Sequence, residues 1–229
     1  PRGVFVSPKE VVAAQIAQDT LLKEGTKNTW FGNCYDAHSQ TPSQELAYKA
    51  SYDGAWATLD LSDASDRVPL SLISMLAHRD DYLYLARTRP AYVILPDGST
   101  HKLRMFSPMG DGKTFIVLSL VCASLVMAAM LLQDGVRLDR LNPSGVVPVL
   151  MRYSAKLRVF GDDIIVQKEY YNSVVSGLET ANLKINALKS FRFGKFRESC
   201  GCDAYEGTVV TPFYQRLNLG DGDSAIDSR

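Results

Sequence analysis

The strongest constraint on the fold of this chain is the segment at residues 114–133, which contains no charged side chain and is apolar almost throughout. A run of this length meets the usual criterion for a membrane-spanning helix. The alternative is a helix buried in the core of a globular domain. Small residues recur along the segment, which suits close packing, and neither flank carries the basic cluster typical of a membrane anchor. We therefore predict a central core helix and no contact with a membrane.

The composition is that of a single globular domain. The 229 residues are 46% hydrophobic and 22% charged, which excludes a disordered chain, and four cysteines are too few for a disulfide framework. Lysine plus arginine equals aspartate plus glutamate, at 25 each, which argues against a uniformly basic nucleic-acid coat. Between residues 152 and 197, however, basic side chains outnumber acidic ones by nine to four. This basic band favours a local path for a polyanion.

Local patterns predict a mixed α+β chain without repeats or a domain linker. Helices are expected at residues 9–24, 114–133 and 170–181, and from Pro69 through Leu76 with Ser65 or Asp66 as the N-cap. Strands are expected at residues 56–61, 157–160 and 164–166, and a hairpin at residues 91–106. The polar or Gly- and Pro-containing residues 25–50 and 135–149 are expected to be loops.

Gly161-Asp162-Asp163 lies between two apolar strands and predicts a tight hairpin turn, because glycine tolerates positive φ and aspartate bonds to its own backbone. A turn alone does not need the second acid. Two adjacent carboxylates repel each other, and a shared divalent cation would relieve that repulsion. The pattern by itself leaves a plain turn and a metal site both open.

A second acidic segment runs from Asp60 to Asp66. A helix start explains Ser65 and Asp66, since both residue types cap helices well. It does not explain Asp60, which lies between Leu59 and Leu61 in a predicted strand, where a carboxylate usually has a partner. Carboxylates from two separate strands are what a two-metal phosphoryl-transfer site needs.

Residues 107–114 open the apolar helix with Ser107, Gly110, Gly112 and Thr114. Glycines at a helix N-terminus let backbone N–H groups approach a phosphate or a ribose. The segment also comes within one residue of a P-loop, because Ser107 stands where that pattern needs glycine. A P-loop NTPase that uses Asp162 as its acidic partner is therefore an alternative interpretation.

Lys189 lies in the basic band, in the segment Asn186-Ala187-Leu188-Lys189-Ser190-Phe191. Its ammonium is a candidate to hold a triphosphate or to donate a proton to a leaving pyrophosphate. A solvated surface residue is the commoner fate of a single lysine.

The order of these segments resembles motifs A, B, C and D of viral RNA-dependent RNA polymerases. Three segments are similar in amino-acid sequence to the replicases of the single-stranded RNA bacteriophages, the leviviruses. They are residues 57–66, residues 107–115 and Phe196-Arg197-Glu198-Ser199-Cys200-Gly201. The stretch before motif A, with Gln44-Glu45-Leu46-Ala47, is similar as well, and the resemblance covers residues 36–215. Asp111 departs from the family pattern, in which asparagine is expected.

The resemblance implies a polymerase palm, an antiparallel sheet with helices on one face, together with part of the fingers. Residues 1–50 would derive from the fingers, residues 51–215 would form the palm with motifs A to D, and residues 216–229 would be a loose tail. The chain is then expected to be a segment of a longer replicase.

The resemblance also implies the chemistry of an RNA-directed RNA polymerase that copies a viral genome from nucleoside triphosphates. Asp60 and Asp162 would hold two Mg²⁺ ions with the support of Asp163, Mn²⁺ being the alternative ion, and Lys189 would be the general acid. The nucleotide-binding residues would be Asp66, Ser107, Gly110 and Thr114.

The implied partners are RNA template and product, nucleoside triphosphates and host translation factors, in the cytoplasm of a bacterial host. Two further alternatives stay open. One is a non-catalytic RNA-binding relic of such a polymerase. The other is a reverse transcriptase, against which Gly161 argues.

Overall fold

The structure, a computed structural model, describes residues 4–212. The helices are α1 (Lys9–Thr26), α2 (Trp30–Cys34), α3 (Thr41–Asp53), α4 (Ala64–Arg67), α5 (Leu70–Leu76), α6 (Arg79–Ala86), α7 (Thr114–Gln133), α8 (Pro143–Ser154) and α9 (Tyr171–Thr180), with 3₁₀ turns at Leu138–Arg140 and Lys168–Tyr170. The strands are β1 (Trp56–Leu59), β2 (Leu61–Ser62), β3 (Tyr92–Ile94), β4 (Thr100–Lys102), β5 (Leu157–Phe160), β6 (Asp163–Gln167), β7 (Lys184–Ile185), β8 (Phe196–Ser199), β9 (Cys202–Tyr205) and β10 (Thr208–Val209). The predicted tail at residues 216–229 lies outside the described residues.

The central sheet is antiparallel, with β6 between β1 and β5. Ala57, Thr58 and Leu59 are buried in succession along β1, as are residues 164–166 along β6. Because successive side chains of a strand point to opposite faces, both faces of this sheet are covered. Helices α7 and α3 both contact the sheet, and strand β8 packs on it too. The predicted antiparallel sheet is confirmed, and the placement of its helices on one face stays a prediction.

Helix α7 forms the middle of the core, as its composition predicts. Its apolar side chains pack against α8, α9 and β5. Among the described residues, it is the one helix long and apolar enough to cross a membrane, and 67% of its most apolar window is buried inside the protein. That burial is typical of the core helix of a globular protein, so the prediction of a buried helix is confirmed.

Helix α1, the hairpin β3–β4, the hairpin β5–β6 and helix α9 also lie where the local patterns place them. Each is specified by a short-range signal, either the helical spacing of apolar residues or a turn between two short strands. These elements need little tertiary information to be predicted.

The prediction of loops at residues 25–50 and 135–149 is wrong, because their polar and turn-forming residues serve as the ends of helices. In α3 a proline occupies the first turn, and Gly54 ends the helix at φ +68° with its N–H bonded to the Ala50 carbonyl. In α8 Pro143 starts the helix, and the Asn142 side chain accepts a hydrogen bond from the Gly145 N–H at 2.9 Å. Proline at the start and glycine after the end are normal helix boundaries.

The strand predicted at residues 56–61 and the helix after it are each divided in two. Strand β1 ends at Leu59 and pairs with β6, whereas β2 pairs with β7. Asp60 therefore lies at the junction of two small sheets. Ser65 and Asp66 do not cap the following helix, because both lie inside α4, and Pro69 occupies the N-cap position of α5.

Candidate active site

The Gly161-Asp162-Asp163 segment forms the predicted hairpin turn. Phe160 pairs directly with Asp163, so that Gly161 and Asp162 are the two turn residues. Gly161 has φ +64°, and a Cβ atom there would lie 2.5 Å from the ring of Phe115, so the position requires glycine for conformation and for space. The Gly161 N–H donates to the Ser119 hydroxyl at 2.9 Å. Ser119, one of four polar residues in the otherwise apolar α7, thus supports the turn.

Asp163 is surrounded by other acids. Burial raises the pKa of Asp163 to about 7, and the carboxylates of Glu198, Asp162 and Asp60 add to the rise. The Cys200 N–H donates a hydrogen bond to Asp163 Oδ2 at 3.2 Å, and this bond acts against the rise in the pKa of Asp163. The fold therefore brings the three predicted acids from two chain segments into one electrostatic cluster.

Asp60 is held by the segment that contains Lys189. The Asn186 side-chain amide donates to Asp60 Oδ2 at 2.7 Å, the Asn186 N–H donates to the Asp60 carbonyl at 2.9 Å, and the Asp60 N–H donates to Ser190 Oγ at 3.2 Å. Lys189 itself is exposed. Sequence reasoning selected Lys189 and missed Asn186 and Ser190, although both lie in the same short segment.

Glu198 is a fourth acid of the cluster that sequence reasoning did not select. Burial raises the pKa of Glu198, and the carboxylates of Asp60 and Asp203 also raise it, whereas the Lys189 ammonium acts in the opposite direction. Lys189 therefore lies within electrostatic reach of the cluster. The signal available in the sequence was the position of Glu198 within the Phe196–Gly201 motif; the structure adds that its neighbours Arg197 and Ser199 are buried.

A cavity of about 360 Å³ opens beside Asp162. Its other walls are residues 63–66 of the α4 region and residues 109–118 around the start of α7, so that the predicted nucleotide-binding residues Asp66, Gly110 and Thr114 all line it. Gly110 has φ +106°, and a Cβ atom there would lie 2.1 Å from the Phe5 carbonyl oxygen. The glycine thus allows the Phe5 backbone to pack closely against this segment, where the Phe5 N–H donates to the Met109 carbonyl at 2.9 Å.

Ser107 does not line this cavity. It is buried, and its hydroxyl lies 2.7 Å from Thr114 Oγ1, which also donates to the Pro108 carbonyl. Ser107 therefore holds Thr114 in place from the buried side, and its part in nucleotide binding stays a prediction.

Lys113 rules out the P-loop interpretation. Its side chain is fully buried, and Nζ lies 2.8 and 3.0 Å from the two carboxylate oxygens of Asp111 and 3.1 Å from Thr88 Oγ1. Burial lowers the pKa of Lys113, and Asp111 counteracts this. A P-loop lysine must reach a phosphate, which this one cannot. Asp111, the departure from the family pattern, is the partner of a buried cation.

No group of three or more His, Cys, Asp or Glu side chains within residues 4–212 is arranged to hold a metal ion. The donor chemistry nevertheless fits a hard cation. Carboxylate oxygens are the ligands that Mg²⁺ prefers, and the repulsion that raises the pKa of Asp163 is what a bound cation would relieve.

Comparison with known proteins gives two kinds of similarity. Over 179 residues, the chain is 36% identical to the RNA-directed RNA polymerase beta chain of Enterobacteria phage GA and 35% identical to that of Escherichia phage MS2, each match covering 78% of this chain. It is 35% identical over 184 residues to the corresponding beta subunit of Qbeta virus strain MX1. The chain spans only 30%, 29% and 28% of these relatives.

Among solved structures, telomerase from Candida albicans, in complex with a fragment of telomeric RNA, aligns with 87% of this chain at a TM-score of 0.54 and 11% identity. This likeness shows a shared fold and nothing finer. The family model described as "RNA replicase, beta-chain" matches residues 33–225, which is most of the chain. The chain therefore belongs to the RNA replicase beta-chain family.

Proposed function

We propose that this chain carries the catalytic centre of an RNA-directed RNA polymerase, a nucleotidyltransferase that copies a viral RNA genome inside an infected bacterial cell. The observation that carries the proposal is the cluster of Asp60, Asp162 and Asp163 beside a cavity within the size range of small-ligand sites. The similar phage proteins are each named as an RNA-directed RNA polymerase beta chain or subunit.

The acidic cluster is proposed to bind the catalytic metal. Asp60 and Asp162 would hold two Mg²⁺ ions, or Mn²⁺ as the alternative, with Asp163 in support. Such ions, when bound, supply positive charge to the phosphates and acidify the primer 3′-hydroxyl. The protein orients the carboxylates: Asn186 fixes Asp60, and the Ser119–Gly161 bond and the Cys200–Asp163 bond fix the turn.

The cavity is proposed to bind the incoming nucleotide. Asp66 is exposed and can accept a hydrogen bond from a ribose hydroxyl, and Gly110 and Thr114 line the same cavity. Lys189 is the proposed general acid for the leaving pyrophosphate. Its exposure and its closeness to the cluster suit a residue that must meet solvent protons and a phosphate.

The finer architecture is part of the same proposal. Residues 51–215 would form the palm and residues 1–50 part of the fingers. Both would belong to a longer replicase, since the match to the phage GA polymerase covers only 30% of that protein. Template and product RNA would follow the basic side chains of residues 152–197. Host translation factors remain candidate partners by resemblance alone.

Primer extension on homopolymer RNA by a replicase containing this chain tests the proposal, with Mg²⁺ and with a chelator. We expect template-dependent incorporation that the chelator abolishes and that Asp162→Asn reduces to a few per cent or less. Glu179→Gln, an exposed change on α9, is the control. RNA binding without incorporation would indicate a non-catalytic relic, and incorporation by Asp162→Asn at the parent's rate would refute the site.

A further inference from the structure

The Phe196–Gly201 motif and the Gln44 segment are the two conspicuous sequence features to which the proposed chemistry assigns no direct part. The structure joins them. Ser199 pairs with Cys202, so that Cys200 and Gly201 form the turn of the β8–β9 hairpin, with φ values of +51° and +72°. Helix α3, which carries Gln44, packs along this hairpin.

Cys200 is held in a conformation that a residue with a side chain seldom adopts. Left-handed backbone at a non-glycine residue costs about 1 kcal/mol or more and persists only where the surroundings hold it. Two hydrogen bonds to its backbone contribute here, beside contacts of its thiol with Ser199, Ser43 and Asp163. The Gln44 side-chain amide donates to the Cys200 carbonyl at 2.9 Å, and the Cys200 N–H donates to Asp163 Oδ2 at 3.2 Å.

The second of these bonds acts directly on the acidic cluster. Asp163 lies close to Asp60, Asp162 and Glu198, whose negative charges push its carboxylate away. The Cys200 N–H is the backbone donor that opposes this repulsion. A charge-assisted bond to one oxygen fixes the direction of the carboxylate and leaves the other oxygen available to a cation.

We propose that Gln44 is a positioning residue for Asp163, acting through the left-handed Cys200 of the hairpin turn. The inference rests on the proposed polymerase function for its consequence, but the hydrogen-bond chain itself does not depend on that function. Loss of the Gln44 amide lets the Cys200 backbone relax toward an unstrained conformation. The N–H then turns from Asp163, and the carboxylate loses its orientation.

Helix α3 offers a matched control. Ser51 Oγ accepts a hydrogen bond from the Gly207 N–H at 2.9 Å and thus ties the same helix to the next turn of the same sheet. Ser51 is buried, and its partner Gly207 lies in the turn between β9 and β10, outside the Gln44–Cys200–Asp163 chain of hydrogen bonds. Ser51→Ala therefore removes a similar anchor without touching the proposed chain of bonds.

The test compares Gln44→Met, which keeps the volume but cannot donate, with Ser51→Ala. Hydrogen exchange of the Cys200 amide is measured in the chain, and kcat and KM for nucleotide are measured in the replicase at a temperature where both variants are folded. We expect faster Cys200 exchange and a kcat lower by roughly tenfold for Gln44→Met, as is typical when a group that orients a ligand is lost, with KM nearly unchanged. Ser51→Ala should leave both readouts at the parent's values.

Unchanged Cys200 exchange in Gln44→Met would overturn the proposal, and so would an equal loss of kcat in the two variants. The proposed function fails separately, by the absence of incorporation in the parent replicase. In that case Mn²⁺ titration of the chain decides the positioning role: weaker binding in Gln44→Met than in Ser51→Ala supports it, and equal binding overturns it.

Discussion

Asp163 lies among three other carboxylates in a partly buried position, and only one described backbone N–H bonds to its side chain. In the absence of a cation this arrangement works against folding, because the ionised form of Asp163 is less favourable in the folded than in the unfolded chain. Binding sites commonly accept such local instability in exchange for affinity for a charged ligand.

The pKa of Asp163 yields a pH prediction. Because the folded pKa is about 7 against an ordinary value of 3.8, the folded chain binds this proton more tightly than the unfolded one. Its stability should fall as the pH rises from about 4 to 7, by roughly 1.4 kcal/mol per unit at most. Asp163→Asn should therefore raise the melting temperature more at pH 8 than at pH 5 in a metal-free buffer. An equal effect at both pH values, or one matched by Glu179→Gln, contradicts the assignment.

Asp66 should influence the choice of sugar. Its carboxylate lines the cavity and can accept from a ribose 2′-hydroxyl, and a site built for that hydroxyl disfavours a sugar that lacks it. Asp66→Ala should lower the preference for ribonucleotides over deoxyribonucleotides by roughly 1–3 kcal/mol per lost contact. Competition between the two sugars in primer extension measures the ratio. An unchanged ratio would remove Asp66 from the nucleotide site.

At the scale of elements, α7 links the core to the site. Its buried face packs against α8, α9 and β5, while Phe115 and Ser119 near its start contact the Gly161 turn. The same helix thus supplies apolar burial to the whole domain and a hydrogen bond to the site. A shift of α7 would be transmitted directly to Asp162.

A charge placed on α7 tests its environment. Val126 is fully buried, whereas Leu132 on the same helix is 76% exposed. Val126→Lys should destabilise the chain by several kcal/mol or prevent folding, because it buries an unpaired charge, while Leu132→Lys should change stability by about 0.5 kcal/mol or less. Urea unfolding without detergent measures both. Similar stabilities for the two variants would show that α7 is not a core helix.

At the scale of the whole molecule, the acidic cluster exists only in the folded chain, because Asp60 and Asp162 are about a hundred residues apart in sequence. A divalent cation that binds there must therefore stabilise the fold. Mg²⁺ or Mn²⁺ at ten times its dissociation constant should add about 1.4 kcal/mol and raise the melting temperature by roughly 3–6 °C. Asp60→Asn should reduce the shift and Glu179→Gln should preserve it. A shift of the same size in Asp60→Asn would place the cation elsewhere.

Local patterns were sufficient for the features that depend on near neighbours in sequence. The spacing of apolar residues predicted α1, α7 and α9, and the Gly161 turn followed from glycine between two apolar strands. The order of the acidic segments also selected Asp60, Asp66 and Asp162, whose roles stay predictions. The predictions of helices and of the turn succeed because helix period and turn chemistry are properties of short stretches of chain.

The tertiary structure alone decided which distant groups meet. Asn186 holds Asp60, the Cys200 N–H holds Asp163, and Lys113 is buried against Asp111 and does not face a phosphate. It also turned the polar residues around α3 and α8 into helix ends. The physical reason is that hydrogen bonds between residues far apart in the sequence, 126 positions for Asn186–Asp60 and 37 for Cys200–Asp163, leave no periodic trace in it. The burial of Lys113 beside its near neighbour Asp111 likewise depends on what packs around the pair. Packing of the core chooses these partners, because a buried polar group without one is too costly to retain.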